Sequence, residues 1–447
     1  MYSSMAQTIF SSSPSFIRLS PMVPKTFSSS PRFIRLIPTF KSPNFRRMTT
    51  VSCLKNPSPC LMLPPTFNDG SDEMVYNMYN LAQNKLLKFN NKKLIPEENT
   101  RFVGSSHGWL ALLDERNRGL ILTNPITRCH VELPPYLSNP FSGFRVIISC
   151  GAEQEECKAM MIYNGHSLEF CRPGRSPTEW TQLGVHLCPL KNYEDLVYSS
   201  RHNLLFCIAN AVYTYDFEAW DVAYDPPRLH WEHRADWQAC GVYSKRLCRE
   251  KNLLPAKTCL WCNTFKYLVF VEQTDQLFFV TRHIVSQMAL DGSPMKDLAK
   301  DSYPYKTISF DVHKVDWKLD GEGGRLSHVD GGSLDGLAMF VGVNHSFAVL
   351  ATEDNGLKPN SIYFTNDKGL IPDKDLYPKE WLNWKQGDHD IGIFDYENKT
   401  ISCYDPCDLQ NFKRVTEPIW ANERENELNY CDVWGGHLIP CPQLKAS

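Results

Sequence analysis

The stretch Trp109-Leu-Ala-Leu-Leu-Asp-Glu-Arg-Asn-Arg-Gly-Leu-Ile-Leu-Thr123 contains two short apolar runs separated by a polar turn. Each run is too short for a stable helix and has the length of a strand. The intervening residues, from Asp114 to Gly119, include Asn and Gly, which favour the tight turn of a β-hairpin. This stretch therefore predicts two paired antiparallel strands.

The same pattern recurs along most of the chain, whereas helical periodicity is scarce. Hairpin turns are expected at 163–166, 273–276 and 396–399, where polar residues and Gly separate neighbouring runs. The further predicted strands are 144–148, 159–163, 167–170, 204–208, 211–215, 267–271, 276–280, 307–312, 336–341, 346–350, 361–364 and 390–394. The pattern predicts an all-β protein.

An all-β chain of 447 residues exceeds what one sandwich core can hold, and no linker divides it. A single β-propeller of about six irregular blades is expected, with seven blades as the alternative. The proposed blades are 101–140, 142–186, 192–235, 264–318, 325–368 and 388–436. Two stretches stay open: 72–95 is a short helix or the last strand of a closing blade, and 219–262 is an insertion or a poorly patterned blade.

The first 53 residues have the composition of an organellar transit peptide. The first acidic residue is Asp69, whereas eight basic residues precede it: Arg18, Lys25, Arg32, Arg35, Lys41, Arg46, Arg47 and Lys55. Basic, Ser-rich and acid-free leaders are typical of import signals, and no apolar run is long enough for a secretory signal or a membrane span. The predicted organisation is a disordered transit peptide (1–53), a linker (54–70) and a propeller (71–440).

The remaining body is acidic and rich in cysteine. All 50 acidic residues but only 39 of the 47 basic ones follow residue 67, so this body has a formal charge of −11. A negative balance disfavours nucleic acid as a partner, since a binding face must neutralise phosphates. The 16 cysteines are spread through apolar runs and are interpreted as free thiols.

Two motifs suggest chemistry, and for both a structural role is favoured. Gly104-Ser-Ser-His-Gly108 fits the G-x-S-x-G pattern that would make Ser106 a nucleophile, but a strand rather than a helix follows it, so a tight turn is expected. Cys259 and Cys262 have the spacing of half a zinc site, with Cys240, Cys248, His230 and His233 upstream. No second C-x-x-C follows, so no metal is predicted.

Three further polar stretches are expected to be turns. Asp388-His-Asp390 leads directly into a predicted strand. The Gly-rich segments 320–324 and 330–332 lack the Lys-Ser/Thr of a phosphate loop and precede strands. No catalytic, cofactor-binding or metal-binding residue is predicted from the sequence.

Several stretches resemble the plant family catalogued as domain of unknown function 295, whose members are described as F-box-associated, kelch-like proteins. The matching stretches are Val103–Leu113, Leu122–Arg128, Leu133–Pro135, Lys266–Val269, Leu277–Arg282, Leu337–Phe347, Gly356–Phe364 and Asp390–Asp395. The resemblance implies a β-propeller and a plant source, and it carries no catalytic residues. Many relatives have a helical F-box before the propeller. No comparable segment precedes Val103, which makes the chain similar to the organellar branch without an F-box.

These observations favour a non-catalytic binding or scaffold protein with an organellar protein partner. The expected location is the mitochondrion, with the chloroplast as the alternative. Two other functions are kept open: the substrate receptor of an F-box-type ubiquitin ligase, which the missing module disfavours, and a hydrolase or redox enzyme that uses the propeller channel.

Overall fold

The structure, a computed structural model, describes most of the chain after residue 58. The described residues are 59–67, 73–92, 94, 100–114, 116–136, 144–174, 179–183, 191–211, 214–236, 262–286, 305–318, 326–365, 390–403 and 419–421. Twenty-five strands lie in these ranges, with a single 3-10 turn over Glu353–Asn355. Within them, no helix is long and apolar enough to cross a membrane.

Six antiparallel or mixed sheets form the blades of a propeller, numbered here from the N-terminus. Blade 1 contains β1 (Cys60–Phe67), β2 (Glu73–Asn80), β3 (Lys85–Lys92) and β25 (Ile419–Ala421). Blade 2 contains β4 (Thr100–Ser106), β5 (Trp109–Asp114), β6 (Gly119–Thr123) and β7 (His130–Leu133). Blade 3 contains β8 (Arg145–Ile148), β9 (Ala159–Tyr163), β10 (Ser167–Cys171) and β11 (Thr181–Gln182).

The other three blades follow in chain order. Blade 4 contains β12 (Asn192–Ser199), β13 (Leu204–Asn210), β14 (Thr214–Asp221) and β15 (Arg228–Asp236). Blade 5 contains β16 (Cys262–Val271), β17 (Gln276–Ser286), β18 (Tyr305–Val315) and β19 (Leu326–His328). Blade 6 contains β20 (Leu337–Val341), β21 (Phe347–Leu350), β22 (Ser361–Phe364), β23 (Gly392–Asp395) and β24 (Thr400–Cys403).

Strands from the first and the last described segments of the chain close the ring within blade 1. Strand β25, near the C-terminus, pairs antiparallel with β1, so that Leu61 lies opposite Trp420. The inner strands β25, β4, β8, β12, β16 and β21 contact one another in that order around the axis. The pairing of β25 with β1 joins distant parts of the chain. Each blade then has only a short strand edge at the axis.

Among the described residues, an apolar cluster fills each interface between successive blades. Each blade is a single sheet, and a neighbouring blade covers each of its two faces. In ring order, the clusters include Met62 with Leu112, Trp109 with Met161, Ile162 with Leu205, Phe206 with Phe279, Phe310 with Phe394, and Phe340 with Tyr79. The core is therefore distributed around the ring.

The structure confirms the all-β propeller of six blades and corrects how the blades divide the chain. Strand β1 lies within 54–70, the expected linker, so the propeller begins before residue 71. The open stretch 72–95 contains two strands of blade 1. The proposed blades 325–368 and 388–436 are not separate, since β22 of the first pairs with β23 of the second in one five-stranded sheet.

Candidate functional site

The predicted turn at Gly104–Gly108 is confirmed as the β4–β5 hairpin. His107 and Gly108 have positive φ angles of 51° and 74°. The hydroxyl of Ser106 is buried and accepts a hydrogen bond from Ile148 N of blade 3 (2.9 Å). A side chain at Gly104 would clash with the carbonyl oxygen of Val146. The motif therefore joins two blades at close approach.

A second segment, 342–346, brings a histidine to the same part of the axis. His345 N donates to Ser105 O (2.9 Å), and His345 Nε2 accepts from Tyr198 N of blade 4 (3.0 Å). Its ring stacks on that of His107, with centroids 6.3 Å apart. Because Tyr198 N is a donor, Nε2 must carry a lone pair in this arrangement. Both histidines are buried.

Asp195 links three blades through one buried carboxylate. It pairs with Arg145 of blade 3, and its Oδ2 accepts from Leu268 N of blade 5 (2.8 Å). Its Oδ1 also accepts from Leu196 N (2.7 Å). The inner edge of a sheet presents backbone N–H groups without a strand partner, and such groups are costly when buried. Side chains from neighbouring blades satisfy several of them here.

A buried charged cluster lies in blade 4, on β14 and at the start of β12. Glu218 pairs with Lys191 and accepts from Tyr193 Oη (3.0 Å) and Trp220 Nε1 (2.9 Å). Asp216 lies 3.4 Å from Lys191 Nζ. Burial acts to lower the pKa of Lys191, but the Glu218 and Asp216 carboxylates raise it by more, so the lysine pKa is above its ordinary value.

Asp390 is a largely buried ion-pair partner, and the rest of the predicted turn at 388–390 lies outside the described residues. Its Oδ2 accepts from Arg282 Nη2 (2.8 Å), Thr307 N (2.9 Å) and Thr307 Oγ1 (2.6 Å). Arg282 is fully buried, and its guanidinium lies 4.6 Å from the ring centre of Phe364. This pair joins blades 5 and 6.

Histidines and an aspartate cluster across β17, β18 and β19 of blade 5. His283 Nε2 lies 2.7 Å from Asp311 Oδ2, and the rings of His313 and His328 are 5.0 Å apart. Burial acts to raise the pKa of Asp311, but the neighbouring histidines, His283 foremost, hold it below its ordinary value. Across the described part of the chain, no group of His, Cys, Asp and Glu has an arrangement suited to a metal ion.

Two of the three exposed large apolar side chains among the described residues lie five residues apart in blade 4, next to blade 3. Tyr224, in the β14–β15 turn, is 46 % exposed, and Leu229, on β15, is 47 % exposed. The Arg228 guanidinium lies 4.2 Å from the centre of the Tyr224 ring. These residues lie in 219–262, where the strand pattern was weak. The Tyr-Asp-Pro-Pro turn signal marks the place in the sequence, but its exposure could not be deduced.

The other sequence-predicted candidates are only partly described. His230 and His233 lie on β15, whereas Cys240, Cys248 and Cys259, Asp388 and His389, and the segment 320–324 lie outside the described residues. Cys262 begins β16. The segment 330–332 is a turn after β19, with Gly331 and Gly332 at positive φ.

This geometry defines a six-bladed β-propeller whose buried polar groups around the axis hold the blades together. The model of the KIB1-4 beta-propeller family matches residues 78–395, and the chain belongs to that family. No curated protein has a significantly similar sequence. The fold supports protein interaction in general.

Solved structures resemble the chain only at the level of fold. Hydrazine synthase of Kuenenia stuttgartiensis is 11% identical over 66% of this chain and 74% of its own, with a TM-score of 0.31. A Lactobacillus plantarum protein is 10% identical over 62% and 83%, with a TM-score of 0.31. A putative 6-phosphogluconolactonase from Bacteroides uniformis is 10% identical over 61% and 82%, also at 0.31.

Proposed function

We propose that this chain is a non-catalytic propeller that binds a protein partner in the mitochondrion, through a surface that includes Tyr224, Arg228 and Leu229. The observation that carries the proposal is the exposure of Tyr224 in the β14–β15 turn and of Leu229 at the start of β15. Tyr and Arg are enriched among the residues that dominate binding energy at protein interfaces. A tyrosine stacked with an arginine also loses little side-chain freedom on binding.

The turn that carries Tyr224 is held in place before any partner binds. Lys158 of blade 3 donates to Tyr224 O (3.0 Å) and to Val222 O. Arg172, also of blade 3, pairs with Asp225 at 2.7 Å. Ordering a loop in advance reduces the entropy lost on association. The turn therefore has the rigidity expected of a preformed binding surface.

The polar groups near the axis support binding over catalysis. The Ser106 hydroxyl, the His345 imidazole and the Asp195 carboxylate all accept backbone N–H groups from neighbouring blades. Each is buried. A nucleophile or general base needs access to substrate and a free lone pair at the reacting atom. These three groups are instead engaged in holding the ring.

The proposed location follows from the acid-free leader, with the chloroplast as the alternative. Arg46 and Arg47 immediately before Met48 suit mitochondrial processing, whereas Val51-Ser-Cys53 has the form of a plastid cleavage site. A full-length chain with a C-terminal fluorophore is expected in mitochondria, with its mature N-terminus after the leader. Diffuse cytosolic fluorescence with an intact leader would contradict this location.

The binding surface is tested by affinity enrichment from mitochondrial extract. The baits are the wild-type chain, the double variant Tyr224→Ala with Leu229→Asp, and Leu350→Asp. Leu350 is a matched control because it is 59 % exposed on blade 6, away from Tyr224 and Leu229 in sequence and blade.

A partner that the wild type and Leu350→Asp recover, and that the double variant loses by about tenfold or more, is the expected result. Equal recovery by all three baits would contradict the assigned surface. If no protein is recovered reproducibly above a mock bait, the proposed binding function is wrong. Circular dichroism and thermal unfolding of each bait check that the variants are folded.

A further inference from the structure

Two cysteines face each other at the end of the β8–β9 hairpin. The register pairs Ile148 with Ala159, and the next residues continue it, because Ser149 N donates to Lys158 O (2.9 Å). Continuing one step further places Cys150 opposite Cys157. Lys158 N donates to the Ser149 hydroxyl (2.9 Å), so Ser149 and Lys158 occupy a hydrogen-bonded position, and the two cysteines come next, at a non-hydrogen-bonded one.

That position suits a disulfide. Residues opposite each other at a non-hydrogen-bonded site have Cα atoms about 4.5 Å apart. Disulfides form across Cα separations of about 4.4 to 6.8 Å, so the strands need not move apart or together. In the reduced chain, Cys157 Sγ lies 3.4 Å from Cys150 O, and the two thiols are within hydrogen-bonding reach of each other.

The two sulfurs differ in access and in local chemistry. Cys150 is half-buried, whereas Cys157 is fully buried in the apolar cluster between blades 2 and 3. The Cys157 thiol beside Cys150 lowers the pKa of Cys150, assisted by the Ser149 hydroxyl at 3.8 Å. The same proximity, together with burial, raises the pKa of Cys157. Cys150 is therefore the sulfur that reagents reach first.

We propose that Cys150 and Cys157 form a reversible redox pair, in which Cys150 reacts with a hydroperoxide and Cys157 closes the disulfide. In the first step the Cys150 thiolate attacks a peroxide oxygen, an S–O bond forms, the O–O bond breaks, and water or an alcohol leaves. In the second, Cys157 sulfur attacks Cys150 sulfur, the S–O bond breaks, and water leaves with the Cys157 proton. Two thiols lose two electrons, and the peroxide gains them.

This inference is independent of the proposed binding function and is not tied to the C-x-x-C motif at Cys259. A pair separated by six residues has no recognised sequence spacing, and only the hairpin register brings the two thiols together. Intracellular disulfides of this kind are usually transient, which fits a pair whose reduced form is already hydrogen-bonded.

Peptide mapping tests the pair in the folded, full-length chain. After treatment with hydrogen peroxide and alkylation of the remaining thiols, trypsin cleavage after Arg145 and Lys158 releases both cysteines in one peptide, 146–158. The expected peptide is unalkylated and two hydrogens lighter than the reduced form. A Glu-specific protease cuts between the cysteines, at Glu153, Glu155 or Glu156, and the two halves should stay joined until a thiol reductant is added.

Two controls make the result decisive. Cys129 is exposed, and its carbonyl oxygen accepts from Asn124 N (2.9 Å) across the hairpin, so peroxide should not place it in a disulfide with a neighbour in its own hairpin. In Cys157→Ala, the sulfenic acid at Cys150 has no partner and should be trapped by a cyclic dione, whereas the wild type should trap little.

The proposal is overturned if Cys150 and Cys157 both remain free for alkylation at peroxide doses that oxidise Cys129. It is also overturned if Cys157→Ala, shown to be folded by circular dichroism, traps no sulfenic acid at Cys150. Cys150→Ser provides a second check, because Cys157 should then resist oxidation in the folded chain.

Discussion

Blades 4 and 6 fill equivalent places in the ring with different chain paths. In blade 4, β12 to β15 pair in chain order, each with the next. In blade 6, β21 lies inside β20, and β22 pairs parallel to β20 on its other side. A meander needs only short turns, whereas the path of blade 6 needs a connection across the sheet. Every blade therefore has a strand at the inner position, but that strand is the first of its blade in the chain in blade 4 and the second in blade 6.

The two blades also reach the axis differently. Blade 4 contributes Asp195 from within its inner strand, and that carboxylate contacts blades 3 and 5. Blade 6 contributes His345 from the segment between β20 and β21, and this residue contacts blades 2 and 4. The backbone hydrogen bonds of a sheet fix the position of a strand residue. The position of a residue in a connecting segment is fixed mainly by its contacts with other blades. Substitutions at the two sites can measure this difference.

The largest effect is expected for Asp195→Ala in blade 4. The change leaves the Arg145 guanidinium buried without its carboxylate and removes the acceptor of Leu268 N, so the free energy of unfolding should fall by about 3 to 5 kcal/mol. Urea unfolding measures it. Asp335→Asn is the control: Asp335 pairs with Lys314 at the exposed surface, Asn tolerates its positive φ of 56°, and the change should cost less than about 1 kcal/mol. Equal costs would contradict the assigned role.

Arg282→Met tests the link from blade 5 to blade 6. The variant leaves Asp390 without its cation and Thr365 O without its donor, which is 2.6 Å away in the native chain. Met preserves most of the packing against Phe364, so the loss should reflect the charge and be about 3 kcal/mol. Arg282→Lys keeps the charge but not the planar fork, and should recover only part of that loss. Full recovery would show that fork geometry is unimportant.

His345→Phe is expected to have a smaller effect. Phenylalanine can still stack near His107, but it cannot accept from Tyr198 N, and an unpaired buried N–H costs about 1 to 3 kcal/mol. His345→Gln offers an acceptor and should be more stable than the Phe variant. Denaturant midpoints of the three proteins provide the measurement. A Phe variant as stable as the wild type would refute the role of this hydrogen bond in linking blade 6 to blade 4.

The smallest effect is expected in the acid range. In blade 4, burial acts to raise the pKa of Asp216, but Arg234 and Lys191 hold it below its ordinary value. In blade 6, hydrogen bonds from Asn398 and the nearby Lys358 depress the pKa of Asp395. Each depressed pKa stabilises the folded chain above the unfolded value of about 3.9, and this contribution is lost as the pH falls further.

Arg234→Met and Lys358→Met separate the two acid contributions. Each variant should flatten the decline of the urea midpoint between about pH 5 and about pH 2, while costing less than about 1 kcal/mol near neutrality because both cations are largely exposed. Unchanged acid slopes in both variants would argue against these carboxylates as the source of the decline.

The sequence was informative about strands and less so about their partners. Runs such as 119–123, 159–163 and 361–364 coincide with β6, β9 and β22, because apolar runs bounded by turn residues are a local signal. The short polar strands β11 and β19 were missed, since exposed outer strands need no apolar pattern. The division near 368 and 388 was wrong because strand signals do not say which strands share a sheet.

Polar roles were harder to predict for the same reason. Asp195 and Asp390 look like ordinary surface residues in the sequence, yet their partners are Arg145 and Arg282, each far away along the chain. The exposure of Tyr224 and Leu229 likewise depends on what the neighbouring blade leaves uncovered. The organelle, the plant source and the partner stay predictions.

Local chemistry by itself determined that this chain forms β-hairpins: short apolar runs bury against neighbours, and Asn, Asp and Gly accept the turn conformations between them. The acid-free leader and the acidic body were also readable, because charge is a property of composition. Only the tertiary structure decided that β1 pairs with β25, that β21 is the inner strand of blade 6, and that Cys157 lies beside Cys150. Those contacts depend on strand register and ring closure, which no local stretch encodes.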